Sequence, residues 1–158
     1  MDELVRTIDS LVGPDIHPLA NLANVAAALY TSLERVNWAG FYLLDRGALW
    51  LGPFQGKVAC TRIEIGKGVC GTALARDAVI VVPDVHAFPG HIACDAASCS
   101  EIVLPLRFGG RPVGVLDIDS PVPDRFSEAD RDALTAIAAI ISERCDFSQL
   151  SYDLRSTL

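Results

Sequence analysis

No run of the 158 residues is long and apolar enough to cross a bilayer, and the first six, Met1 to Arg6, hold two acids where a signal peptide would begin with basic and then apolar residues. A cytoplasmic protein without a membrane partner is expected. Basic residues are also scarce: 13 lysines and arginines stand against 20 acids, a net charge of −7, and none form a stripe that could neutralise a phosphate backbone. Nucleic acid is therefore not an expected partner. Internal repeats, low-complexity stretches and linker-like composition are absent too, and at this length one undivided domain over 1–158 with one core is expected. Gly66, Gly68 and Gly71 form a glycine-rich run, but it lacks the following lysine and the strand-to-helix frame of a phosphate loop.

Cysteine is present, and in an odd number. Five thiols in a reducing compartment argue against a purely structural disulfide framework and for catalytic or metal-binding roles. Three of them, Cys60, Cys70 and Cys94, sit in glycine- and histidine-rich loop sequence, which points to electron chemistry. His86, His91, Cys94 and Cys99 fall within fourteen residues and have zinc-binding side-chain types, yet their spacing is no recognised ligand set, so no metal site is expected. Cys145 lies on an apolar helical stripe and reads as a small core hydrophobe. Trp50 alternates with Leu49 and Leu51 and reads as packing, and His17 as a residue at a helix start.

Apolar periodicity gives the layout. Leu4, Val5, Ile8, Leu11 and Val12, then Leu19, Leu22, Ala23, Ala26, Leu29 and Leu33, predict two opening helices within 1–33. Trp38 to Asp45 and Ala48 to Gly52 predict a hairpin, Arg62 to Ile65 a weaker strand, Gly71 to Arg76 a short helix and Val79 to Val82 another strand. Pro83 to Ser100 has no period, and a loop of that length in a compact domain is usually functional or disordered. Glu101 to Phe108 and Pro112 to Ser120 follow as strands, and Ser127 with Asp130 predicts a capping box opening a helix that carries Leu134, Ile137, Ala138, Ile141 and Cys145. Residues 146–158 read as a polar, fraying tail, leaving 37–145 as the sheet core with its C-terminal helix. The class is α+β, an antiparallel sheet with helices on one face and loops on the other.

Alternation along the strands then sorts the side chains. Trp38, Gly40 and Tyr42 share one face, and Ala39, Phe41 and Leu43 the other, which looks like core. Leu116 and Ile118 are apolar partners, so Asp117 and Asp119 project oppositely, roughly 7 Å apart along the strand. A two-residue turn at Gly109-Gly110 would pair Glu101 with Ile118 and mix the faces, whereas a three-residue loop ending at Arg111 pairs Ile102 with Ile118 and Leu104 with Leu116. The apolar match favours the second register. Glu101 then stands opposite Asp119, and three carboxylates converge beside Trp38 and Tyr42. Alternating acids are equally the mark of a solvated outer face; the aromatics and neighbouring cysteines favour a site.

The run Gly52-Pro53-Phe54-Gln55-Gly56 leading to Ala59-Cys60-Thr61-Arg62, then Gly68-Val69-Cys70-Gly71, then His91-Ile92-Ala93-Cys94-Asp95 leading to Ser100-Glu101-Ile102-Val103, closely resembles the free methionine-(R)-sulfoxide reductases. These are single GAF domains that reduce the free amino acid rather than protein-bound methionine sulfoxide, and the resemblance runs from about Asn37 to Phe126. It implies a GAF-like sheet, Cys94 as nucleophile, Cys60 and Cys70 at resolving positions, and Trp38, Tyr42, Glu101, Asp117 and Asp119 around the substrate. Cys99 departs from the family's pattern and could compete as a resolving thiol. The implied chemistry needs an acid that keeps its proton at neutral pH, with Asp119 or Glu101 as donor, because sulfoxide oxygen leaves poorly until protonated. It needs no bound cofactor, only an external dithiol such as thioredoxin. His91 is a candidate neighbour for the Cys94 thiolate, and a homodimer formed through the flanking helices is expected. The alternative from another class is a non-catalytic GAF module that binds a small ligand such as a cyclic nucleotide, or senses oxidation through the same cysteines. An acidic pocket would repel a phosphate.

Overall fold

The computed structural model describes residues 1–90 and 97–150. The two opening amphipathic stripes fold as α1 (Asp2–Leu11) and α2 (Pro18–Ser32), the second started by His17, whose ring accepts a hydrogen bond from the Leu19 amide. The strands are β1 (Trp38–Asp45), β2 (Ala48–Gly56), β3 (Arg62–Glu64), β4 (Ile80–Val82), β5 (Ser100–Phe108) and β6 (Arg111–Ser120). Between them lies α3 (Gly68–Arg76), and α4 (Glu128–Arg144) follows β6. The expected capping box is present: the Ser127 hydroxyl accepts from the Asp130 amide while the Asp130 carboxylate accepts from the Ser127 amide.

All pairings are antiparallel, and the six strands lie in the order β3-β2-β1-β6-β5-β4. One face of the sheet, with Ala39, Phe41, Ile102, Leu104, Leu116 and Ile118, packs under α1, α2 and α4 and forms the larger apolar cluster. The other face carries a smaller cluster of Trp38, Tyr42, Leu49, Val82, Val103 and Val115, roofed by Val69, Cys70, Ala73 and Leu74 of α3 and by Val85. The single core expected from length is thus two apolar layers divided by one sheet, and one helix joins the loops on the second face. Burying each large aliphatic side chain contributes about 1.5–3 kcal/mol, so the thicker helical layer dominates stability.

The structure corrects how the register arises. Ile102 pairs with Ile118 and Leu104 with Leu116, as the apolar match requires, but Phe108 pairs directly with Arg111 across a two-residue turn. Gly109 and Gly110 both have positive φ, 58° and 76°, which suits the tight hairpin turn. The missing residue is taken up by a bulge, where Leu106 pairs with Gly114 while Arg107 pairs with Pro112. A second bulge lengthens β2 beyond the expected Gly52. Gly40 pairs with Phe54 and Tyr42 with Leu51, so β2 holds one extra residue at Gly52-Pro53, and the proline that would end a regular central strand is absorbed there.

Other corrections are local. Helix α3 begins at Gly68 rather than Gly71, which brings Cys70 into its first turn. A Cβ on Gly71 would collide with the Glu64 carbonyl, so that glycine lets α3 sit tightly against the end of β3 rather than cradle a phosphate. Trp50 is 41% exposed, with the Arg62 guanidinium 6.0 Å from its ring, instead of packing into a core. The tail begins with a 3-10 turn at Phe147–Leu150 whose Phe147 is buried; residues 151–158 lie outside the described residues.

Candidate active site

Three rows of paired residues cross the second face. Glu101 of β5 stands opposite Asp119 of β6, which stands opposite Trp38 of β1. One row on, Val103, Asp117, Gly40 and Phe54 are aligned, and after that Val115, Tyr42 and Leu51. Alternation puts all three acids and both aromatics on the same side, against the ordinary tendency to leave such acids in water. Glu101 is 5% exposed and Asp117 6%, and Asp119 is half-buried.

The aromatics form a wall. Trp38 stacks on Phe54 with centroids 5.3 Å apart and on Tyr42 at 5.9 Å. Their polar ends hold the loop after β2: the Trp38 indole N–H donates to the Lys57 carbonyl at 3.1 Å, and the Tyr42 hydroxyl donates to the Cys60 carbonyl at 2.9 Å. Phe54 belongs to this wall and escaped the sequence reading, because its place depends on the bulge at Pro53. Gly40 is what makes the stack possible, since a Cβ there would lie 2.7 Å from Trp38 Cη2 and collide with the Cβ of Phe54. Gly40→Ala is therefore expected to cost about 1–3 kcal/mol by overpacking and to change the emission of Trp38. Urea unfolding and fluorescence in a Trp50→Phe background check both effects; an unaltered midpoint and spectrum would contradict the packing described.

Cys70 comes down on the acids from α3. Its thiol donates to Glu101 Oε1 at 3.9 Å, and one donor atom from each of Cys70, Glu101 and Asp117 lies within 4.8 Å of the others. Burial dominates the electrostatics here. It raises the Glu101 pKa well above the ordinary carboxylate value, helped by the charges of Asp117 and Asp119, and so favours the protonated carboxyl. Asp117 is pushed by burial up to about 6, with the neighbouring Cys70 and Glu101 side chains pulling the other way. Burial and then the same carboxylates keep Cys70 a protonated thiol, and the Tyr42 phenol is likewise raised. The site thus joins a buried acid of raised pKa, a second carboxylate and an aromatic wall.

The remaining sulfurs divide. Cys60 is half-buried and stands in a disulfide, while Cys70, Cys99 and Cys145 are free thiols. Cys99 is half-buried at the start of the strand that carries Glu101, its thiol 3.8 Å from the Ala97 carbonyl. Cys145 is buried in the helical layer, where desolvation raises its pKa to about 11, as suits a core thiol. Cys94 and His91 lie outside the described residues, as does half of the histidine and cysteine set considered for zinc. Of that set, His86 is exposed and paired with Asp84 at 3.0 Å. Near the site, Asn37 donates to Ser98 at 3.2 Å, tying the segment before β5 to the start of β1; nothing in the strand pattern marked this link.

Comparison with known proteins narrows the chemistry. A family model described as the GAF domain matches residues 15–144. The chain is 55% identical over 137 residues to the free methionine-R-sulfoxide reductase of Escherichia coli K12, covering 87% of this chain and 83% of that one. Among solved structures, the free methionine-R-sulfoxide reductase of Neisseria meningitidis in complex with its substrate superposes with a TM-score of 0.88 at 46% identity, over 94% of this chain and 90% of that one. The substrate complex of fRMsr of Staphylococcus aureus gives a TM-score of 0.86 at 49% identity, over 90% of this chain and 94% of that one.

Proposed function

Because the chain belongs to the free methionine-(R)-sulfoxide reductases, a family of GAF domains, we propose that it reduces free L-methionine-(R)-S-oxide to L-methionine with thiol electrons. The observation that carries this reading is Glu101, a carboxyl group buried on a sheet face beside a second carboxylate and the Trp38–Tyr42 wall, where burial raises its pKa and favours the protonated form.

In the proposed cycle the Cys94 thiolate attacks the sulfoxide sulfur while Glu101 protonates the oxygen. Methionine leaves and Cys94 becomes a sulfenic acid. A second thiol then condenses with it, forming an S–S bond and releasing water. Two electrons from an external dithiol, thioredoxin in the first place, return both thiols, so the cycle requires no bound cofactor. Cys60 is the preferred resolving thiol: it already stands in a disulfide, whereas Cys70 is buried and paired with Glu101. Asp117 and Asp119 complete a negative pocket suited to a substrate ammonium group, and Trp38 flanks the methyl group and selects one epimer by shape. The same acidity disfavours the rival reading as a nucleotide-binding module.

A coupled assay with thioredoxin should show turnover of the free R epimer and little of the free S epimer or of a blocked peptide sulfoxide. Equal rates on the peptide, or none on the free R epimer, would refute the proposal.

A further inference from the structure

In the cycle above Cys70 has no step of its own, yet its sulfur is held between two acids on rigid elements. Glu101 and Asp117 come from adjacent strands in the middle of the sheet, and α3 is locked in place by the close approach of Gly71 to Glu64. The three donor atoms lie within 4.8 Å of one another, and all three residues are buried. A second observation points to a missing partner: Asp117 Oδ1 is fully buried and has no hydrogen-bond partner among the described residues. A buried acceptor left in that state is costly unless something binds it.

We propose that Cys70 Sγ, Glu101 and Asp117 form a three-ligand site for a thiophilic divalent cation, zinc above all, and that metal and substrate exclude one another there. Magnesium and calcium take all-oxygen sets, whereas zinc accepts a thiolate together with carboxylates. Tetrahedral zinc with bonds of about 2.3 Å to sulfur and about 2.1 Å to oxygen sets its ligand atoms roughly 3.5 Å apart. Cys70 Sγ and Glu101 Oε1 are already 3.9 Å apart, so small side-chain rotations close the set. Binding forms one Zn–S and two Zn–O bonds, releases the thiol and carboxyl protons to solvent, and leaves a fourth position for water. The exclusion of substrate rests on the functional reading above; the binding itself does not.

Cobalt(II) is the probe, because a cobalt–thiolate bond has a near-ultraviolet charge-transfer band. The reduced full-length chain should take up one equivalent with that band and lose it when zinc is added. Cys70→Ser should lack the band, and Cys60→Ser, Cys94→Ser and Cys99→Ser should keep it. Where Cys70→Ser does not fold, Glu101→Gln and Asp117→Asn, which retain the thiol, should bind cobalt at least about tenfold more weakly. No band at one equivalent, a band that survives Cys70→Ser, or unchanged affinity in both carboxylate variants overturns the metal site. Free methionine-(R)-sulfoxide should displace the cobalt. If cobalt binds through Cys70 but the sulfoxide does not release it, mutual exclusion fails and with it the functional reading of this pocket; if the sulfoxide turns over and no cobalt binds, the metal proposal alone fails.

Discussion

Cys94→Ser is expected to reduce turnover of free methionine-(R)-sulfoxide by at least about a thousandfold, whichever reductant is supplied. A serine hydroxyl at neutral pH is a far poorer nucleophile than a thiolate, and it cannot form the sulfenic acid that carries the oxygen away. Cys60→Ser should behave differently. If Cys60 only resolves, the variant still releases one methionine per chain in a single turnover and still cycles with a small-molecule thiol, but it loses most thioredoxin-driven turnover because no intramolecular disulfide forms. Cys99→Ser should retain both activities. Rapid-quench measurement of methionine released, compared with steady-state rates under the two reductants, separates these roles. A Cys94→Ser variant that still turns over would show the nucleophile to be another of the five cysteines.

Much of this arrangement was legible in the sequence because it depends on alternation and on apolar matching. Which residues of β1, β5 and β6 share a face follows from the pleat, and the pairing of Glu101 with Asp119 follows from placing Ile102 against Ile118 and Leu104 against Leu116. The route to that register was not legible. A bulge at Val113, between the Leu106–Gly114 and Arg107–Pro112 pairs, does what a longer loop was expected to do, and no residue type announces it. The same limit hid Phe54: a proline at position 53 reads as the end of a strand unless a bulge absorbs it, so the third aromatic of the wall stayed out of view. The sequence pattern starts helix α3 three residues late because Gly68 and Gly71 look like breakers, whereas Gly71 serves close packing against the Glu64 carbonyl. Cys70 consequently looked like loop sulfur rather than a buried donor to Glu101. The ionisation of the acids follows from their depth under α3, which is a tertiary quantity.

That depth gives Glu101→Gln two expected effects of opposite sign. Glutamine keeps the shape but carries no proton for the departing oxygen, so kcat should fall by about 10²- to 10⁴-fold, the usual worth of a positioned general acid. The wild-type rate should decline on the alkaline side as Glu101 loses its proton, and the variant should lack that limb. Stability should move the other way. Because the folded-state pKa of Glu101 is raised, the native state holds a proton that the unfolded chain releases. The contribution is full below the unfolded carboxylate value of about 4.3 and is lost as pH rises through the folded-state value. Asp117, raised to about 6, adds a loss of the same sign between its unfolded value and neutrality. Wild-type stability should therefore decline with rising pH, while Glu101→Gln, with one fewer buried acid to ionise, should unfold at higher urea than wild type at pH 8. The gap should shrink toward pH 5. Urea midpoints across that range, taken with pH–rate profiles of the same two proteins, test both effects on one residue. A variant that is inactive yet no more stable at pH 8 would mean that the Glu101 pKa is not raised in the native state, and the proton must then come from Asp119 or from water.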